Sequence, residues 1–151
     1  MGSYSDKAVQ LFKEGYNCAQ AVFAAFADKY GIDRETALRL SASFGGGMGR
    51  MREVCGTVSG MMLVSGLETG AVEGSDREGK AANYAEAQKL AELFREENGS
   101  IICRELLGLK PDGGQESPVP ESRTPQYYAK RPCVELVRCA AEILEKRYIR
   151  Q

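Results

Sequence analysis

The strongest constraint on the fold of this chain is the spacing of its apolar residues, which recur every three or four positions along most of the sequence. This spacing places side chains on one face of an α-helix, whereas a half-buried strand would alternate at every second residue. No strand-like alternation of useful length is present. The sequence therefore predicts an all-α fold.

The pattern predicts five to six helices in a single domain over residues 1–151. An apolar stripe from Val9 to Tyr30 predicts one long first helix, which Gly31 ends. A chain of 151 residues is long enough to build one hydrophobic core. The remaining helices are predicted near residues 34–44, 54–70, 75–99, 101–108 and 132–147, and all five prolines fall in an extended loop over residues 110–132.

Composition excludes several classes of function. The chain contains no histidine, which removes a histidine general base, every Cys-His dyad, every histidine-ligated metal and the C-x-x-C-H attachment of haem. The net charge of -1 argues against a nucleic acid partner. The longest apolar run, of about fourteen residues, is too short to cross a bilayer. We therefore expect no haem, no nucleic acid and no membrane insertion.

Cysteine is the residue type most informative about function. There are five cysteines and no N-terminal pattern typical of a secretory signal, so we expect a cytoplasmic location. In that reducing compartment, several cysteines indicate metal or redox chemistry more often than structural disulfides. The five are Cys18, Cys55, Cys103, Cys133 and Cys139.

The predicted helices place these cysteines differently. Cys103 and Cys133 fall in the first turn of a helix, and Cys55 closely follows a glycine-rich loop. Because a helix N-terminus favours negative charge, we expect the pKa of these thiols to be lowered. Cys18 is predicted to lie in the middle of the first helix beside its apolar stripe. Cys139 points about 120° away from Cys133 on the last helix.

The stretch SFGGGMGRMREVCGTVSG, residues 43–60, places four glycines within five positions. It lacks the Lys-Ser/Thr ending of a phosphate loop and the third glycine of a dinucleotide fingerprint. Glycine lets the backbone approach a sulfur closely, so the stretch favours a thiolate site. Two other interpretations stay open: an anion site formed by Arg50 and Arg52, and a tight turn that only connects two helices. The candidate backbone residues of the cofactor site are Gly46, Gly47, Gly49 and Gly56.

Four segments, GYNCAQAVFAAF, SFGGGMGRMREVCGTVSG, GSIICRELLG and RPCVELVRCAAEILEKRY, together resemble the C_GCAxxG_C_C family of redox-active four-cysteine proteins. That family is similar to the cysteine-bearing part of split-Soret cytochromes. Thr57 stands where the family usually has alanine, a change that we expect to leave the chemistry unaltered, and Cys139 matches no family cysteine. The resemblance implies a shared site formed by Cys18, Cys55, Cys103 and Cys133.

The leading hypothesis is that these four cysteines bind an iron-sulfur cluster for electron transfer or sensing. Three alternatives stay open: a metal-free thiol-disulfide oxidoreductase or redox sensor, a structural zinc site, and a helical module with inert buried cysteines. Whether the protein is an enzyme is also open, and an oxidoreductase is the class to expect if it is. The sequence names no redox partner, and a homo-oligomer is compatible with it.

Overall fold

The computed structural model describes residues 3–111, 113 and 116–149, and within these ranges it is helical without a strand. The all-α prediction is confirmed. None of the described helices combines the length and the apolar character needed to cross a membrane. The helices are α1 (Tyr4–Lys13), α2 (Cys18–Phe26), α3 (Arg34–Ser41), α4 (Gly56–Thr69), α5 (Arg77–Asn98), α6 (Cys103–Leu106), α7 (Pro125–Lys130) and α8 (Cys133–Tyr148), with 3-10 turns at Ala27–Tyr30 and Ala42–Phe44.

The prediction of one long N-terminal helix is wrong, because the apolar stripe is divided between α1 and α2. Gly15 takes a φ of 110°, which interrupts the helix, and Asn17 is the N-cap of the next helix. The Asn17 side chain accepts a hydrogen bond from the Gln20 N–H at 2.9 Å, and the Gln20 side chain accepts one from the Asn17 N–H at 3.0 Å. This reciprocal capping box begins a new helix. Cys18 is therefore the first residue of α2 and does not lie mid-helix.

A single hydrophobic core lies around α2, which packs against α1 and α4, while α8 packs against α1. Burying the large side chains of this core supplies the main driving force for folding. The largest fully buried side chains include Phe12, Phe23, Phe26, Met61, Leu90, Phe94, Val137 and Leu144.

The predicted extended loop over residues 110–132 is interrupted by a short helix, α7. Thr124 caps α7 by accepting a hydrogen bond from its third residue, and Pro125 occupies the first helical position. Pro132 was expected as the first residue of the last helix and instead precedes it as the N-cap. Residues 112, 114 and 115 of the predicted loop lie outside the described residues.

The close approach of α4 to α2 generates a testable prediction at Gly60. A Cβ atom added there would lie 2.9 Å from the Val22 Cβ and 3.1 Å from the Ala19 carbonyl oxygen. We expect Gly60→Ala to lower the free energy of unfolding by about 1–3 kcal/mol, since the two helices must separate. Denaturant unfolding followed by circular dichroism measures this loss.

Gly66 provides the matched control on the same helix. It is exposed, and nothing lies within 4 Å of an added Cβ. Gly66→Ala should leave stability unchanged or raise it by about 0.5–1 kcal/mol through better helix propensity. Equal effects of the two substitutions would contradict the close-packing argument.

Candidate functional site

Four of the five cysteines lie at the beginnings of four different helices. Cys18, Cys103 and Cys133 are the first residues of α2, α6 and α8, and Cys55 is the N-cap of α4. The first N–H groups of a helix have no partner within the helix and carry its partial positive charge. The shared placement is thus more complete than expected from the sequence, since Cys18 joins the other three.

These four cysteines line one cavity of about 300 Å³. Cys55 and Cys103 are buried, whereas Cys18 and Cys133 are half-buried. Cys139 is outside the cavity lining, and its sulfur accepts a hydrogen bond from Asn98 Nδ2 at 3.4 Å. The structure therefore brings together the four cysteines that the family resemblance selects and separates the fifth.

Backbone pairing between two distant segments positions Cys55 next to Cys103. The Cys55 N–H donates to the Ile101 carbonyl at 2.8 Å, and the Cys103 N–H donates to the Glu53 carbonyl at 2.6 Å. In this antiparallel arrangement Cys55 and Cys103 are diagonal neighbours on one face, a relation that separates residues by about 7–8 Å. The pairing therefore places both side chains on the same face of the two segments, where both line the cavity.

The glycine-rich loop forms a left-handed turn, which sequence reasoning did not anticipate. Every residue from Gly46 to Arg50 has a positive φ, between 57° and 69°, and Arg52 follows with a φ of 63°. A non-glycine residue in this region costs about 1–2 kcal/mol. Met48 and both arginines adopt it, so the tertiary contacts of the loop must offset a real conformational cost.

The predicted glycines divide into two roles. Gly46, Gly49 and Gly56 line the cavity, whereas Gly47 is not among the lining residues and packs against Cys103. The Gly46 backbone also lies near the Cys18 thiol, where it opposes the rise that burial and Cys103 cause in the pKa of that thiol. A Cβ atom at Gly56 would lie only 2.9 Å from that same sulfur. The absence of side chains thus allows backbone to approach the Cys18 thiol from two sides.

Four arginines also line the cavity, namely Arg50, Arg52, Arg123 and Arg131. Arg52 Nη1 donates to the Cys103 sulfur at 3.5 Å, and its side chain is only 6% exposed. Arg123 donates to the Phe12 carbonyl at 2.7 Å. Sequence reasoning missed Arg123 and Arg131 as site residues. No local pattern could reveal Arg123, because its carbonyl partner lies 111 positions away in the chain.

A segment that we call the strap, residues 116–124, closes one side of the cavity. Its members Pro118, Pro120, Glu121 and Arg123 contribute to the lining. Glu116 Oε1 accepts hydrogen bonds from Arg50 Nη2 at 2.6 Å and from Arg52 Nη2 at 2.7 Å. These two guanidinium groups, with Arg52 the stronger influence, lower the pKa of Glu116 to about 2, so its carboxylate is charged at neutral pH.

Burial raises the pKa of Cys18, Cys55 and Cys133, and this effect is larger than the lowering expected from the helix N-termini. Burial raises the pKa of Cys55, with a further contribution from Cys18. Burial, followed by Cys18 and Cys103, raises the pKa of Cys133 to about 12. The pKa of Cys18 is raised by burial and then by Cys103. The expectation of lowered pKa values is therefore wrong for Cys55 and Cys133. Removing a thiolate from water costs more free energy than its stabilisation by the helix N-termini supplies.

Within the part of the chain that the structure describes, no three Cys, Asp or Glu side chains converge so as to hold a metal ion. A zinc site would require its sulfurs to lie about 2.3 Å from one point. Cys18, Cys55, Cys103 and Cys133 all contribute to the lining of the cavity.

A family model described as "Putative redox-active protein (C_GCAxxG_C_C)" matches residues 16–147. The match covers most of the chain and includes all four cavity cysteines, so the chain belongs to this family. No curated protein matches the chain, and no solved structure matches it.

Gly47 and Gly49 allow the close packing of the turn against Cys103 to be tested separately from the cost of a positive φ. A Cβ atom at Gly47 would lie 2.7 Å from the Cys103 Cβ, whereas nothing lies within 4 Å of one at Gly49. Both residues have positive φ, so both alanine variants bear the backbone cost of about 1 kcal/mol. We expect Gly47→Ala to cost about 1–3 kcal/mol more than Gly49→Ala, from overpacking against Cys103 and the backbone of Arg52 and Glu53.

Thermal unfolding of the two variants measures this difference. The accessibility of Cys103, followed by thiol labelling and mass spectrometry, should rise only in Gly47→Ala. Equal stability and equal labelling of the two variants would show that the turn does not position Cys103.

Proposed function

We propose that Cys18, Cys55, Cys103 and Cys133 hold an iron-sulfur cluster that serves electron transfer or sensing. The observation that carries the proposal is their arrangement, since four cysteines from four helix starts line one cavity. Four thiolates are the common ligand set of two-iron and four-iron clusters. When bound, such a cluster supplies electron-transfer chemistry that the side chains alone lack.

The size of the cavity supports a cluster over a single zinc ion. The four cysteines line a cavity of about 300 Å³, which is large enough for an occupant of several atoms.

The charge of the cavity wall supports an anionic occupant. Ligating thiolates bring negative charge into a buried site, where an uncompensated charge is costly. Four arginines line the cavity, and Glu121 is the only acidic residue among the described lining residues. The wall therefore carries the positive charge that a cluster with four thiolate ligands needs.

Hydrogen bonds to the sulfurs supply a means of setting a reduction potential. The Thr57 hydroxyl lies 3.1 Å from the Cys55 sulfur, and Arg52 Nη1 donates to the Cys103 sulfur at 3.5 Å. Donors directed at ligating sulfurs stabilise the more negative, reduced state of a cluster. In the proposed site the Thr57 hydroxyl, which the family's alanine lacks, therefore tunes the potential, in contrast to the expectation that this replacement leaves the chemistry unaltered.

Anaerobic reconstitution with iron and sulfide tests the proposal. Wild-type protein should take up both, with visible absorbance and an EPR signal after reduction. Cys55→Ser and Cys103→Ser should lose most of the bound iron, because each removes a buried ligand. Cys139→Ser is the matched control and should retain full loading, since Cys139 lies outside the cavity.

The same experiment distinguishes the alternatives. Absence of iron from anaerobically purified protein, together with no uptake on reconstitution, would overturn the proposal. A reversible disulfide between two of the four cysteines would then indicate a metal-free thiol-disulfide protein. Uptake of one zinc ion with unfolding on chelation would indicate a structural zinc site.

The proposed role of Thr57 predicts a shift in reduction potential. Thr57→Val keeps the volume and removes the hydroxyl, so the potential of the reconstituted protein should fall. A hydrogen bond worth about 1 kcal/mol corresponds to roughly 40 mV for one electron. Thr57→Ser keeps the hydroxyl and should shift the potential much less. Equal potentials for the two variants, measured by redox titration, would contradict the role of the hydroxyl.

A further inference from the structure

We propose that Arg123 is a positioning residue that keeps the cavity thiols out of reach of other proteins while small ions and molecules still reach them. Arg123 does so by fixing a cover over the cavity, which we define as the strap together with α7, residues 116–130. The inference goes beyond the proposed function, because it concerns access to the cavity and does not require a bound cluster.

The cover lies across the cavity without being part of the hydrophobic core. None of the residues 116–130 is buried, and the half-buried ones are Glu116, Arg123, Tyr127 and Tyr128. Arg123 and Tyr127 line the cavity. Segments with few buried apolar contacts open locally at low cost in free energy. The position of the cover therefore depends on a few side-chain contacts with the rest of the protein.

Arg123 supplies the contacts between the strap and the segment that joins α1 to α2. Its Nη1 donates to the Phe12 carbonyl at 2.7 Å, and its Nη2 donates to the Tyr16 carbonyl at 2.9 Å. Phe12 lies in the last turn of α1, where the helix dipole favours a positive charge. Tyr16 lies two residues before Cys18. One rigid guanidinium group thus fixes the strap beside the start of α2.

Arg123 also connects the strap to α7. The centre of its guanidinium group lies 4.2 Å from the centre of the Phe12 ring and 5.2 Å from that of the Tyr127 ring, close enough for cation–π contacts. Its Nη1 donates to the Tyr128 hydroxyl at 3.3 Å. The Tyr128 ring in turn packs edge-on against Phe12. The strap, α7 and α1 therefore meet at one side chain.

The second attachment of the cover lies at its other end. Glu116 Oε1 accepts from Arg50 Nη2 at 2.6 Å and from Arg52 Nη2 at 2.7 Å, and Arg50 also donates to the Val119 carbonyl. These contacts hold the beginning of the strap and do not include α7. Loss of the Arg123 contacts should therefore release the part of the cover beyond Val119 and leave its beginning in place.

The cover determines which molecules can reach the thiols. Cys55 and Cys103 are buried, Cys18 and Cys133 are half-buried, and the cavity that they line has a volume of about 300 Å³. A space of this size admits ions and small molecules. Thiol-disulfide exchange requires one sulfur to attack another directly, so a protein disulfide would have to displace the cover to react.

Labelling of reduced, metal-free protein with maleimides of two sizes tests the role of Arg123. N-ethylmaleimide is the small reagent, and a maleimide linked to polyethylene glycol is the bulky one. The measured quantity is the ratio of the bulky to the small labelling rate at Cys18 and Cys133. A change in thiol protonation alters both rates alike, so this ratio reports access alone.

In folded wild-type protein we expect this ratio to be at least about ten-fold lower than in urea-unfolded protein, because the cover excludes the bulky reagent. Arg123→Gln should raise the ratio at least about ten-fold, the effect of losing one hydrogen bond to a charged group. Arg123→Lys keeps the charge but cannot bond two carbonyls with one rigid group, so it should raise the ratio less.

Matched variants separate local opening from other effects. Lys130→Gln removes an exposed positive charge from the same cover and should keep the wild-type ratio. Gly60→Ala destabilises the contact between α2 and α4 and should also keep it, at a temperature where the variant stays folded. The ratio at Cys139, which lies outside the cavity, should be the same in every variant.

A wild-type ratio equal to that of unfolded protein would overturn the proposal, since the cover would then exclude nothing. So would an unchanged ratio in Arg123→Gln, or an equal rise in Lys130→Gln or Gly60→Ala. If Arg123→Gln does not fold, Arg123→Lys carries the test, and a wild-type ratio in that variant contradicts the role of Arg123. Because the labelling uses metal-free protein, failure to take up iron would overturn the proposed function without affecting this result.

Discussion

The close approach of α2 and α4 is the contact on which the geometry of the cavity depends. At Gly56 and Gly60, α4 has no side chain, so Cys18, Ala19 and Val22 of α2 lie directly against its backbone. This contact places the N-terminus of α4, with Cys55, beside the N-terminus of α2, with Cys18. The hydrophobic core below stabilises the contact, so the same packing that drives folding also positions two of the four thiols.

The cavity combines buried thiols with a positively charged wall and a left-handed turn. Burial holds Cys18, Cys55 and Cys133 in their neutral forms, while four arginines make the wall positive. The left-handed turn adds a backbone cost at three non-glycine residues. The iron-sulfur cluster that we propose would make these sulfurs anionic ligands. The arginines of the wall would balance that negative charge, so that neither charge is buried without a partner.

Several features of the site could be predicted from the sequence. The helical periodicity indicated an all-α fold, the spacing of glycines indicated close backbone approach, and the family resemblance selected Cys18, Cys55, Cys103 and Cys133. The helical position of Cys18 was missed, because the apolar stripe continues through the break at Gly15 when both helices face one core. The role of Gly47 was also misplaced, since its neighbour Cys103 lies far away in the chain.

The sequence by itself determined the all-α fold class, the cysteines available as ligands and the lack of any histidine to replace them. These properties follow from local periodicity and residue chemistry, which do not depend on distant contacts. Only the tertiary structure decided that four helix starts meet at one cavity, that arginines from the glycine loop and the strap surround it, and that burial outweighs the helix termini. Each of these depends on contacts between residues far apart in the chain, which no local pattern specifies.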